Sequence, residues 1–287
     1  MHNRHLLFFV SFFAFLYSCS KPKIILSDGV DKSAGGVNCY VIATPSATYF
    51  LEKEGGGLSS MIDKEGIDWI GFHRKEGSGH KGEYRGFPNA IHKQDGNYFH
   101  AMNVKTDASN SVVNIVSDDH VRITFSSDNK KWQGQWNFYE DRCDFTMKKV
   151  SSGYKYWIQY EGVPGGKIDS TDFWMASGDK KTHPIFETRL GDLPAPEWMA
   201  FGDKKSKRML YMLHHEDDNL PDDYVCREFM TVLGMGRQTR PGKADKFLTS
   251  VQTFSIGFIE STKQTKINNT LKKILERKHK YLQYESR

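Results

Sequence analysis

The chain has 287 residues, 40 Lys or Arg against 35 Asp or Glu, a formal net charge of +5 and 13% aromatic residues. Acidic and basic residues interleave through most of it, which excludes the concentrated basic stripe of a nucleic-acid groove. No CxxC pair, Walker loop or Gly-x-Ser-x-Gly elbow occurs, so zinc-knuckle, phosphoryl-transfer and serine-hydrolase chemistries have no support.

Residues 1–18 read as a secretory leader, with Arg4 and His5 ahead of an apolar run from Leu6 to Tyr17. That run is shorter than the roughly 20 apolar residues a membrane-spanning helix needs. Leu16-Tyr17-Ser18-Cys19 resembles a bacterial lipobox, although Tyr17 is bulkier than the usual occupant. The expectation is an exported protein, anchored in the bacterial envelope by a lipid on Cys19, in the periplasm or at the cell surface. Lipidation leaves Cys39, Cys143 and Cys226, an odd number whose spacing does not choose a disulfide pair. Residues 19–31 read as a tether, 32–262 as one domain and 263–287 as a terminal helix.

Within the domain the pattern is short strand, polar turn, short strand. Tyr40–Ala43 and Thr48–Leu51 are β-branched or aromatic runs separated by a Pro-containing turn. Ser111–Val116 and His120–Phe125 predict a hairpin across Ser117-Asp118-Asp119, with Val121, Ile123 and Phe125 on one face. Gln133–Tyr139, Cys143–Met147, Tyr154–Tyr160, Met209–His215, Phe229–Leu233 and Thr253–Ile259 continue the series. Close-set strands without an intervening long helix predict an all-β antiparallel sandwich. From Lys263 to Arg287, eight Lys or Arg residues accompany Ile267, Leu271, Ile274 and Leu275 at helical spacing. This predicts an amphipathic helix that packs one face on the domain.

The segment from Phe50 to Gly71 reads strand, glycine corner (Gly55-Gly56-Gly57), strand, Asp63-Lys64-Glu65-Gly66 turn, strand. It resembles the opening of galactose-mutarotase-like β-supersandwich domains, which recur in sugar epimerases, polysaccharide lyases and glycosidases. Tyr160-Glu161-Gly162-Val163-Pro164-Gly165-Gly166 is similar to corners in exported bacterial proteins of polysaccharide breakdown. The resemblance implies a supersandwich-like fold and a polysaccharide or oligosaccharide substrate.

Three groups of residues suit sugar chemistry. The first is the loop carrying His80, Tyr84, Arg85, Asn89, His92 and His100, where polar groups are dense in a Gly-rich stretch. β-Elimination from a uronic acid needs a group that neutralises the C5 carboxylate, a base for the C5 proton and an acid for the leaving oxygen. Arg85 and Asn89 suit the carboxylate; Tyr84, His80 or His100 suit the proton transfers. The second is His214-His215-Glu216-Asp217-Asp218, where His214 suits a substrate groove and Glu216, Asp217 and Asp218 suit calcium as the only cofactor indicated. No transition-metal ligand spacing occurs. The third is Trp174, Arg189, Glu197, Arg227 and Arg237, aromatic and forked cationic groups that suit acidic sugars.

The leading reading is a polysaccharide lyase acting on an acidic glycan. A glycoside hydrolase using Glu161 and Glu197, and a non-catalytic glycan-binding lipoprotein, are the alternatives.

Overall fold

The computed structural model describes residues 24–72, 85–92, 94–101 and 107–285, with side chains to residue 276. The leader and Cys19 lie outside these residues, as do His80 and Tyr84.

The first sheet is an antiparallel meander of β1 (Ile25–Asp31), β2 (Val37–Ala43), β3 (Thr48–Glu52) and β4 (Leu58–Ile62). Ile25–Asp31 therefore belong to the domain and not to a tether: all seven residues pair with β2. Asp28 and Gly29 are poor strand formers, and pairing with β2 supplies the order that their own propensity does not. The chain then forms β5 (Ser109–Val116), β6 (Val121–Ser127), β7 (Trp132–Phe138) and β8 (Arg142–Val150), followed by β9 (Ile158–Gly162). Next come β10 (Asp172–Ala176), β11 (His183–Pro184), β12 (Trp198–Asp203), β13 (Met209–His214), β14 (Asp223–Cys226) and β15 (Thr231–Met235). The hairpin β16 (Arg237–Arg240) and β17 (Lys243–Lys246), then β18 (Gln252–Ile259) and helix α1 (Gln264–Glu285), complete the order.

A nine-stranded sheet runs β11-β10-β12-β13-β18-β8-β7-β6-β5. Facing it, β1–β4 and the three-stranded β14-β15-β9 form the second layer. An irregular segment, residues 86–91, joins the two. On one side Leu58 and Phe87 exchange backbone hydrogen bonds; on the other, Gly86 and Glu161 do, and the Gln159 amide donates to Pro88 O at 2.7 Å. Residues 86–91 thus act as a surrogate strand that continues the sheet.

The core lies between the layers. β6 follows the strand alternation, with Val121, Ile123 and Phe125 buried. β18 does not alternate, because both its faces are covered. Phe254, Ile256 and Phe258 enter the sandwich core, while Ile259 meets the underside of α1. Ile267, Leu271 and Ile274 fall on one face of α1 and pack on Met209, Tyr211 and Leu213 of β13.

This docking predicts a sharp contrast on the helix. Leu271→Ala should lower unfolding free energy by about 2–5 kcal/mol, whereas the neighbouring exposed Lys272→Ala should stay within about 0.5 kcal/mol. Urea unfolding of the two variants measures the difference; equal midpoints would show that α1 contributes nothing through this face.

Candidate functional site

Strand β9 places Ile158 and Tyr160 in the core, so Gln159 and Glu161 project from the opposite face. A cleft of about 1410 Å³ opens there. Trp157, Gln159 and Glu161 contribute to its lining, with His92 just after the surrogate strand, Arg227 from the β14–β15 turn, and the β16–β17 hairpin.

Glu161 is the centre of the arrangement. It is 7% exposed. Asn89 Nδ2 donates to its Oε2 at 2.8 Å, and Gln159 Nε2 approaches its Oε1 at 3.4 Å. Asn89 can reach it because residue 89 sits at φ 41°, a left-handed conformation that asparagine tolerates better than most residues. Gly86, opposite Glu161, also makes room: a Cβ there would stand 2.7 Å from Asn89 Oδ1. Burial pushes the Glu161 carboxyl up to about 7, against the charges of Arg227 and Arg237 and the Asn89 hydrogen bond. The group is thus poised to hold or release a proton near neutrality.

Cations face it. Trp157, 8% exposed, anchors its indole N–H on Asn89 O at 2.8 Å. Arg237 and Lys246 approach the same ring, at 5.6 and 4.8 Å from its centroid. Arg237 lies across Gly234, where a Cβ would come within 2.2 Å of its Cδ. That missing side chain is what lets the guanidinium lie along β15. Burial lowers Lys246 to about 8, with Asp95 opposing the shift. His100 is fully buried, its ring 5.4 Å from that of His92; burial first, then His92 and Lys246, hold it well below the ordinary imidazole value.

Several residues read from the sequence gather here and others do not. Asn89, His92, His100 and Arg227 converge on the cleft or directly behind it. Arg85 turns the other way, donating from Nη1 to Gly71 O at 2.9 Å. Trp174 is buried, stacked on His183 at 4.1 Å and donating to Glu187 O. Arg189 clamps its own loop through Gly191 O and Asp192 O. His214 is buried with Phe254 stacked on its ring at 4.3 Å, bonded through Nδ1 to Glu197 and through Nε2 to Gln252. Burial works against a charged His214, but the hydrogen bond and charge of Glu197 raise it.

Glu197 also accepts from the Asp218 backbone amide at 2.7 Å and does not line the cleft. The Glu161–Glu197 pair required of a glycosidase is therefore not assembled across this cleft. Glu216 accepts from Thr253 N–H and Asp218 from Leu220 N–H, while Asp217 is exposed. The carboxylates that do gather, those of Asp192, Glu197 and Asp222, offer oxygens within 4.8 Å of one another. Sequence reasoning missed Trp157, Gln159 and Lys246. The alternation of β9, polar at 159 and 161 between core residues, was the available signal.

No protein-family model matches the chain, and no curated protein sequence does either. The crystal structure of HI1317 has the same fold: 13% identity, TM-score 0.52, with 83% of this chain aligned to 100% of that one. Lower-scoring alignments are to a candidate mutarotase (YeaD) from Salmonella typhimurium and a galactose mutarotase related enzyme from Lactobacillus acidophilus. The first is 12% identical with a TM-score of 0.47, covering 82% of this chain and 93% of that one. The second is 7% identical with a TM-score of 0.45, covering 78% and 99%.

The raised Glu161 carboxyl carries a stability signature. Its folded value, about 7, lies above the reference 4.5, so the native state binds the proton more tightly than the unfolded chain. Its contribution is fully present below pH 4.5 and is lost as pH rises through 7. Glu161→Gln removes that loss. Relative to the parent, the variant should gain about 2–3 kcal/mol on going from pH 5 to pH 8, read from urea midpoints. An identical difference at both pH values would contradict a buried, proton-holding Glu161.

Proposed function

We propose that this is an exported, lipid-anchored, carbohydrate-active protein whose cleft cleaves an acidic polysaccharide by β-elimination. The observation that carries the reading is a single buried carboxyl, held near neutrality, at the floor of a cleft walled by arginine and lysine. A uronate in such a cleft meets the two requirements of the reaction: a base of matched strength and cations that stabilise the charge developing on the C5 carboxylate. The lipobox-like Leu16-Tyr17-Ser18-Cys19 supports the anchor.

In this mechanism ionised Glu161 takes the C5 proton. The C–H electron pair becomes the C4–C5 double bond as the C4–O bond breaks, and the leaving oxygen receives a proton from His92 at the cleft wall. Asn89 and Gln159 hold the carboxylate in place throughout. Glu161 then returns its proton to solvent, and His92 takes one from solvent, which restores both groups.

The full chain, purified in detergent, should raise the unsaturated-uronate absorbance of at least one acidic polysaccharide. The rate should climb as pH passes through about 7, where Glu161 ionises. Glu161→Gln should lose about 10²–10⁴ of the rate, and His92→Gln a comparable factor. No absorbance change across uronate polymers, with oligosaccharide binding intact, would replace the lyase reading by glycan binding alone.

A further inference from the structure

Arg237 and Lys246 are register partners at the base of the β16–β17 hairpin. Both charged groups converge on Trp157, next to the strand that carries Glu161. The hairpin's ion pairs lie elsewhere, Arg240–Asp245 at 2.9 Å and Lys243–Asp245 at 3.7 Å. Arg237 and Lys246 form none among the described residues. Lys246 Nζ donates to His92 O at 2.8 Å, which restrains it without neutralising it. Arg237 is 4% exposed, and although Nη1 donates to Thr239 Oγ1, its Nε finds no acceptor among the described residues.

A guanidinium withdrawn from water without a counter-ion is unfavourable in the free protein. Yet the fold holds this one deliberately, with the bare backbone of Gly234 beneath it. An anion entering the cleft would meet the Arg237 guanidinium, which lines it, with Lys246 as a second point charge.

We propose that Arg237 and Lys246 form an anion subsite for a carboxylate or sulfate oxyanion on the sugar chain whose reacting ring lies at Glu161. The proposal rests on the reading of that cleft as a saccharide site, and it names the group that receives the acid. It assigns this role to the hairpin and not to Arg85, which is bonded to Gly71.

The test is calorimetric titration of the full chain carrying Glu161→Gln, so that binding is separated from turnover. The probes are an oligogalacturonate, its methyl ester and a sulfated dextran oligosaccharide. At least one charged oligomer should bind about tenfold or more tightly than the ester. Whichever one it is identifies the oxyanion. Arg237→Gln should abolish that preference and Lys246→Gln should reduce it, with urea midpoints showing that both variants fold. Equal binding of charged and neutral oligomers, no binding of either charged oligomer, or a preference that survives Arg237→Gln would overturn the subsite. If the preference depends on Arg237 while the parent chain shows no elimination, the subsite stands and only the proposed chemistry falls.

Discussion

Everything at the functional face depends on how residues 86–91 are hydrogen-bonded. The segment has no regular strand geometry, yet its backbone is satisfied from both sides, by Leu58 of β4 and by Gln159 and Glu161 of β9. Without it, two sheets of the second layer would present open edges to each other. With it, one continuous layer covers the nine-stranded sheet. The same pairing delivers the Asn89 amide to the Glu161 carboxyl, so the element that closes the layer also holds the carboxyl that lines the cleft. A buried carboxyl left without such a donor would carry a full desolvation penalty.

The electrostatics of the cleft follow from distance more than from charge count. Arg227 and Arg237 favour the ionised form of Glu161, but neither forms a direct ion pair with it among the described residues, and burial outweighs them both. A bidentate Arg–carboxylate pair would instead have pulled the carboxyl well down, out of the neutral range. Placing the arginine over Gly234 and against Trp157, one strand away, keeps its field present while leaving the carboxyl able to titrate.

The sandwich was legible from its punctuation and from strands with one wet face. β6 shows its alternation openly, and the Phe50–Gly71 stretch showed its glycine corner, although only β3 and β4 of the expected three strands form there. β10 and β12, covered on both faces, have no periodic pattern to read and were missed, whereas β13 and β18, covered likewise, were legible only as dense apolar and aromatic runs. The site divides along similar lines. Asn89, His92 and His100 stood out because polar groups were dense in their loop, and Arg227 stood out as a forked cation suited to an acidic sugar. His214 stood out equally, but it is committed to Glu197 and Gln252, and a histidine locked in a buried pair has the same letter code as one facing a groove. Glu161 was noticed and matched with the wrong partner, since the distance between two distant carboxylates is a property of topology.

The β16–β17 hairpin is attached to the body mainly at its base, through the Asp222–Arg237 and Tyr156–Leu248 bridges. Its tip, from Arg240 to Lys243, contributes nothing to the sandwich core. Such a module is separable: a change in its length or charge pattern leaves the residues of the sandwich core untouched. Exchanging the hairpin would therefore replace the cationic wall of the cleft, with Arg237, Arg240, Lys243 and Lys246, and leave the sandwich core in place.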